Sequence, residues 1–114
     1  MAWQSFAISE YRVHAVSHNT PGYGGVYGFI YLYWGGRQQA TLWFYRDSVT
    51  TIPPNSSSGS AGSMSYYGRF AATQFHDSVD LLRNEKPVYF HWNDTSMGVW
   101  LATSQEPVGE AELP

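Results

Sequence analysis

Cysteine is absent from this 114-residue chain. That removes disulfides, thiolate metal sites and cysteine nucleophiles together. Positive charge is also scarce. Arg12, Arg37, Arg46, Arg69, Arg83 and Lys86 are scattered without a cluster, and the formal net charge is −3. Nucleic-acid binders present a positive footprint to the phosphates, so nucleic acid is not an expected partner. No apolar run approaches the roughly 20 residues that cross a bilayer. Met1 to Ser5 has neither the basic region nor the apolar segment of a secretion signal. The expectation is a cytoplasmic protein with no membrane partner. Asn55-Ser56-Ser57 and Asn93-Asp94-Thr95 match the glycosylation pattern but read as loop residues.

Tight catalytic and metal spacings are missing too. His14, His18, His76 and His91 form no His-Glu-x-x-His or comparable pair, so no metal or cofactor is expected. The serines include no Gly-x-Ser-x-Gly elbow, and no phosphate loop is spelled by the glycines. His76 and Asp80 stand four apart, and Asp77 and Asp80 three apart, on a predicted helix. Such pairs support an exposed helix surface more readily than acid–base chemistry. No catalytic residue is assigned.

What the chain does have is aromatic rings: five Trp, nine Tyr and six Phe. They concentrate in Val26-Tyr27-Gly28-Phe29-Ile30-Tyr31-Leu32-Tyr33-Trp34 and, past Gly35-Gly36, in Ala40-Thr41-Leu42-Trp43-Phe44-Tyr45. A period of two puts Val26, Ile30 and Leu32 on one face and Tyr27, Phe29, Tyr31 and Tyr33 on the other. Gly35-Gly36 fits a tight primed hairpin turn, although Arg37-Gln38-Gln39 leaves room for a longer loop. A first strand over 6–16 has two mixed phases, which fits an edge position or a phase switch near Glu10.

From 47 to 65 the pattern stops in a Ser/Gly/Pro stretch expected to be a flexible loop. Ala71 or Ala72, Phe75, Val79 and Leu82 then make the apolar stripe of a helix. Ser65 is a candidate cap, Gly68 weakens the first turn, and Pro87 requires an end by Asn84 to Lys86. Strands at Val88–Trp92 and Met97–Thr103 follow, joined by the Asn93–Ser96 turn. Residues 104–114 form an acidic C-terminal segment.

The order β-β-β-loop-α-β-β predicts one α+β domain over residues 1–114. Its architecture is a mainly antiparallel five-stranded sheet with one amphipathic helix on one face. The alternative is a small curled β-barrel with a flanking helix. The covered face should hold Val26, Ile30, Leu32, Leu42, Phe44, Val88, Phe90, Val99 and Leu101. The opposite face should display Tyr27, Phe29, Tyr31, Tyr33, Trp43, Tyr45, Tyr89, His91 and Trp100.

Trp and Tyr combine apolar area with a polar handle and are enriched at binding surfaces. Tyr31, Tyr33, Trp43, Tyr45, Tyr89 and His91 are therefore the candidate ligand- or partner-binding residues. The expected function is a non-enzymatic protein-interaction or assembly module. It would self-associate as a homo-oligomer, or bind another protein, through this aromatic face. A module binding a small apolar or carbohydrate ligand is the first alternative, requiring Trp43, Tyr45 and His91 to converge in a concave patch. A small enzyme with a pocket containing His91 is the second, requiring a base and an acid in the same pocket; with Arg46 or Glu10 nearby, His91 would otherwise form a polar contact in an aromatic-lined cleft. The β-α-β-β-α-β order of open-sheet RNA binders does not match.

Overall fold

The computed structural model describes residues 3–18, 20–60 and 62–104. Over the described residues it is an α+β fold with two sheets and one α-helix. Strands β1 (Trp3–Ala7), β7 (Val88–Asn93) and β8 (Val99–Thr103) form a three-stranded antiparallel sheet in the order β1-β7-β8. Strands β2 (Glu10–Ala15), β3 (Val26–Trp34), β4 (Arg37–Tyr45), β5 (Ser56–Ser58) and β6 (Ser65–Ala71) form a five-stranded sheet, ordered β2-β3-β4-β6-β5. A single 3-10 turn, Ala72–Gln74, leads into helix α1, Phe75–Asn84. Both sheets have open edges, so the barrel alternative is excluded.

The five-stranded sheet and its covering helix are those expected, but the strands are drawn differently. The segment over 6–16 is two strands, and it breaks because it serves both sheets. Ile8 donates its backbone N–H to the Val88 carbonyl at 2.9 Å, and Ser9 donates to the Tyr33 carbonyl at 2.8 Å. The phase switch near Glu10 is thus a crossing between sheets, and β2 does occupy an edge. The last two strands leave the five-stranded sheet for the smaller one.

Gly35 and Gly36, at φ 63° and 82°, make the two-residue primed turn, and the Trp34–Arg37 pair closes it. The ladder therefore starts at Arg37, and the longer loop is not used. At its far end β3 carries a register shift between Val26 and Gly28. The shift exchanges two side chains relative to simple alternation. Tyr27 turns toward the helix, edge-on to Phe75 at 5.3 Å, while Val26 joins the outer face beside Tyr45.

Ser65 to Ala71 is a strand rather than the start of the helix. It runs parallel to β4, from Ala40–Tyr66 to Tyr45–Ala71. Parallel neighbours require a crossover of a dozen or more residues, and the 47–64 stretch supplies it. Within that stretch Ser56–Ser58 pairs antiparallel with β6. The crossover is also pinned by Asn55, whose side chain accepts from the Arg69 backbone N–H at 2.7 Å and donates to the Met97 carbonyl at 2.9 Å. Gly68 lies on the inner side of β6, where a Cβ would sit 3.1 Å from both Leu42 and Val99. Its missing side chain lets the smaller sheet approach. Of the 104–114 segment, only Ser104 lies within the described residues.

The core lies between the five-stranded sheet and a cover made of the helix and the smaller sheet. Ile30, Leu32, Trp34, Leu42 and Phe44 face Phe75 and Leu82 of α1 and Val88, Phe90 and Trp92 of β7 in one buried cluster. Phe44 meets Phe75 edge-on at 5.1 Å, and Trp34 stacks on Phe90 at 5.4 Å. Val99 and Leu101 pack against the cluster, whereas Val26 is buried outside it.

Gly28 faces Phe75, and a Cβ there would stand 2.9 Å from the ring and 2.7 Å from the His14 carbonyl. Gly28→Ala should therefore cost about 1–3 kcal/mol through overpacking, and Phe75→Ala about 3–5 kcal/mol through the cavity left behind. The double variant should lose less than the sum, because truncating the ring removes one of the two clashes. Urea denaturation of the four proteins checks this, and strictly additive costs would show that Gly28 does not seat the ring.

Candidate functional site

The outer face of the five-stranded sheet is built by pairing register. His14 on β2 stands beside Phe29 on β3, Phe29 beside Trp43 on β4, and Trp43 beside Arg69 on β6. The next row is Arg12, Tyr31, Thr41 and Tyr67, with Ser56 at the β5 edge. Side chains at paired positions share a face, so these rows run across one surface.

The rings on this surface touch. Phe29 is the hub, with ring centroids 4.4 Å from His14, 5.3 Å from Tyr31, 4.9 Å from Trp43 and 6.0 Å from Tyr23. Its neighbours cover it to 8 % exposure, while Tyr23 stays 39 % exposed. The Nε2 atom of His14 is buried with no hydrogen-bond partner.

Beside this cluster an open cleft of about 400 Å³ lies over β3, β4 and β6. Tyr23, Trp43, Tyr45 and Tyr67 supply its aromatic walls, together with Val26, Ser56 and Arg69. Arg69 is held in place rather than free to swing. Its Nη1 donates to the Pro54 carbonyl at 2.7 Å and to the Ser56 hydroxyl at 3.0 Å, and the guanidinium lies over the Tyr67 ring at 5.9 Å. Among the described residues, Arg69 is the one charged residue lining this cleft. An arginine fixed among aromatic rings binds planar and anionic groups well.

Of the sequence candidates, Trp43 and Tyr45 reach this cleft, and Tyr31 joins it through the Phe29 cluster. Tyr33 sits farther along the same strand, paired with Glu10 and Gln38. Tyr89 and His91 are elsewhere, on β7 of the smaller sheet, so the expected meeting of Trp43, Tyr45 and His91 does not occur. Alternation assigned Tyr89 and His91 an outward side correctly but could not say which sheet. Glu10 and Arg46 are not brought to His91: Glu10 lies on β2 of the five-stranded sheet, and Arg46, just past the end of β4, donates to the Val16 carbonyl at 2.7 Å. Instead His91 Nδ1 pairs with the Ser5 hydroxyl at 2.7 Å, and its ring lies 5.5 Å from Trp100. Trp100 in turn packs on Trp3 at 4.2 Å, and the two remain 48 % and 40 % exposed. Tyr23, Tyr67 and Arg69 were missed. Tyr67 and Arg69 do alternate with Tyr66 and Phe70, which was the available signal.

A polar seam ties the two sheets together. Tyr66 donates to Gln4 Oε1 at 3.2 Å, Gln4 Nε2 donates to Asp94 at 3.0 Å, and Trp92 Nε1 donates to the other Asp94 oxygen at 3.0 Å. Burial, and then the nearby Asp94 carboxylate, raise the Tyr66 phenol above its ordinary value of 10.0. Among the described residues, no group of three or more His, Asp or Glu is placed to hold a metal ion, and no helix is long and apolar enough to cross a membrane. No protein-family model, curated protein or solved structure matches the chain.

The Tyr66 shift has a definite sign. Below the unfolded-state value both states keep the proton, and stability is lost as the pH rises from there through the higher folded-state value. Tyr66→Phe should remove a phenol that ionises above the ordinary value in a tyrosinate absorbance titration, and should flatten the alkaline fall in stability. An unchanged titration would place the shifted phenol elsewhere.

Proposed function

We propose that this protein is a non-enzymatic binding module whose ligand site is the cleft on the outer face of the five-stranded sheet. One observation carries the proposal: Tyr23, Trp43, Tyr45 and Tyr67 surround an immobilised Arg69 in an open cavity. The cleft is open, so it suits a small molecule laid against the rings and oriented by a few polar groups. Phe29, which would anchor a flat interface, is already covered by its neighbours. The small-ligand alternative thus leads over assembly on this face. Tyr31 borders the site, and Tyr33, Tyr89 and His91 do not form it.

Assembly attaches to another surface. Trp3 and Trp100, packed together yet exposed on the smaller sheet with Met97 close in sequence and 46 % exposed, are large apolar groups left uncovered among the described residues. A second copy meeting the first across a two-fold axis would bury the same pair from both chains.

Two measurements separate these surfaces. In heteronuclear NMR with a library of small aromatic and saccharide fragments, binders should shift the Trp43 indole and Tyr67 amide signals and leave Trp3 and Trp100 unmoved. Trp43→Ala should abolish the response without unfolding the protein. A library that moves no cleft resonance overturns the ligand site. Light scattering over a concentration series should report twice the monomer mass for the parent and the monomer mass for Trp100→Glu, whose charge would be buried at the contact. A monomer at every concentration removes the assembly surface.

A further inference from the structure

We infer that the cleft takes an aromatic carboxylate, a planar ring bearing one anionic group, with Arg69 as the residue that reads the carboxylate. The inference rests on the cleft being the ligand site and adds the chemical class. A guanidinium has five N–H donors in a fixed fork. In Arg69 the two of Nη1 are committed, to the Pro54 carbonyl and the Ser56 hydroxyl. The Nε–H and Nη2 edge keeps no protein acceptor among the described residues. That edge is the side-on pair of parallel donors that matches a carboxylate bidentately. Pro54 and Ser56 fix the plane of the fork, so little side-chain freedom is lost when an anion arrives.

Charge narrows the class. Among the described residues no acid lines the cleft to neutralise Arg69. The same lining offers a single cation within a chain of net charge −3. One guanidinium balances a monoanion, whereas a phosphate dianion would keep uncompensated charge against an acidic protein. The rings supply the second half of the recognition. Trp43 is the cross-strand neighbour of Arg69, so an aromatic body stacked on Trp43 carries its acid group to the fork.

The test compares matched pairs. Benzoate, phenylacetate, 3-phenylpropanoate and indole-3-acetate are titrated against the corresponding amides, with inorganic phosphate as a further probe. Trp43 indole and Tyr67 amide shifts are the readout. The expected result is that at least one acid binds about tenfold or more tighter than its amide, as a charge-assisted bidentate contact requires. Arg69→Gln should bring acid and amide together, and Arg69→Lys, which keeps the charge but not the fork, should lose most of the preference. The acid–amide contrast in the unmodified protein decides the matter even where a variant folds poorly. Acids and amides binding equally would overturn the carboxylate assignment and leave the cleft as a ligand site. Neither series shifting the cleft would remove the site itself. Phosphate binding there more tightly than any acid would overturn the choice of a monoanion.

Discussion

Everything in this fold depends on one shared aromatic core between two sheets. Trp34, Tyr66 and Phe90 pack together, with Trp34–Phe90 at 5.4 Å and Tyr66–Phe90 at 5.7 Å. Each ring comes from a different strand, and Phe90 belongs to the opposing sheet. Neither sheet can bury its inner face without the other, since one short helix covers only part of the larger sheet. The Tyr66–Gln4–Asp94 bonds then satisfy the polar atoms that such large rings bring to the boundary. The core thus consumes the inward half of the aromatic content and leaves the outward half for the surface.

The outward half becomes a site because of the parallel pairing between β4 and β6. An antiparallel meander would not bring Ser65–Ala71 back beside β4 in this register. The crossover does, and it sets Arg69 next to Trp43. The stretch rich in serine and glycine is therefore what makes the cleft: it returns the chain, lends Ser56 to the far edge, and supplies the Pro54 carbonyl that fixes the guanidinium.

Much of this was legible. The Gly35-Gly36 hairpin, the inward phase of Ile30, Leu32, Leu42 and Phe44, and the helix stripe through Phe75, Val79 and Leu82 follow from period and turn chemistry alone. The Ser65–Ala71 strand was not, because Gly68 interrupts its inward apolar phase and the neighbouring Ala71–Phe75 spacing competes with a helical period. Its glycine is explained only by Leu42 and Val99, which lie far away in sequence. Parity along β7 was right for Phe90, Tyr89 and His91, but parity names a side and not a sheet. The exchange of Val26 and Tyr27 came from a register shift that no local pattern announces.

The crossing at Ile8 and Ser9 sorts the pairings of this fold by sequence separation. β2 to β6 follow one another in the chain, so the larger sheet draws only on residues 10–71. β1 cannot join it, being turned the other way by the crossing. Its partner is β7, and the Ser5–His91 bond spans 86 positions. The β1–β7 pairing therefore closes a loop that contains the whole of the larger sheet and the helix. Contacts of such wide sequence separation lose loop-closure entropy before they reward it, so closing the smaller sheet is the kinetically demanding part of this fold.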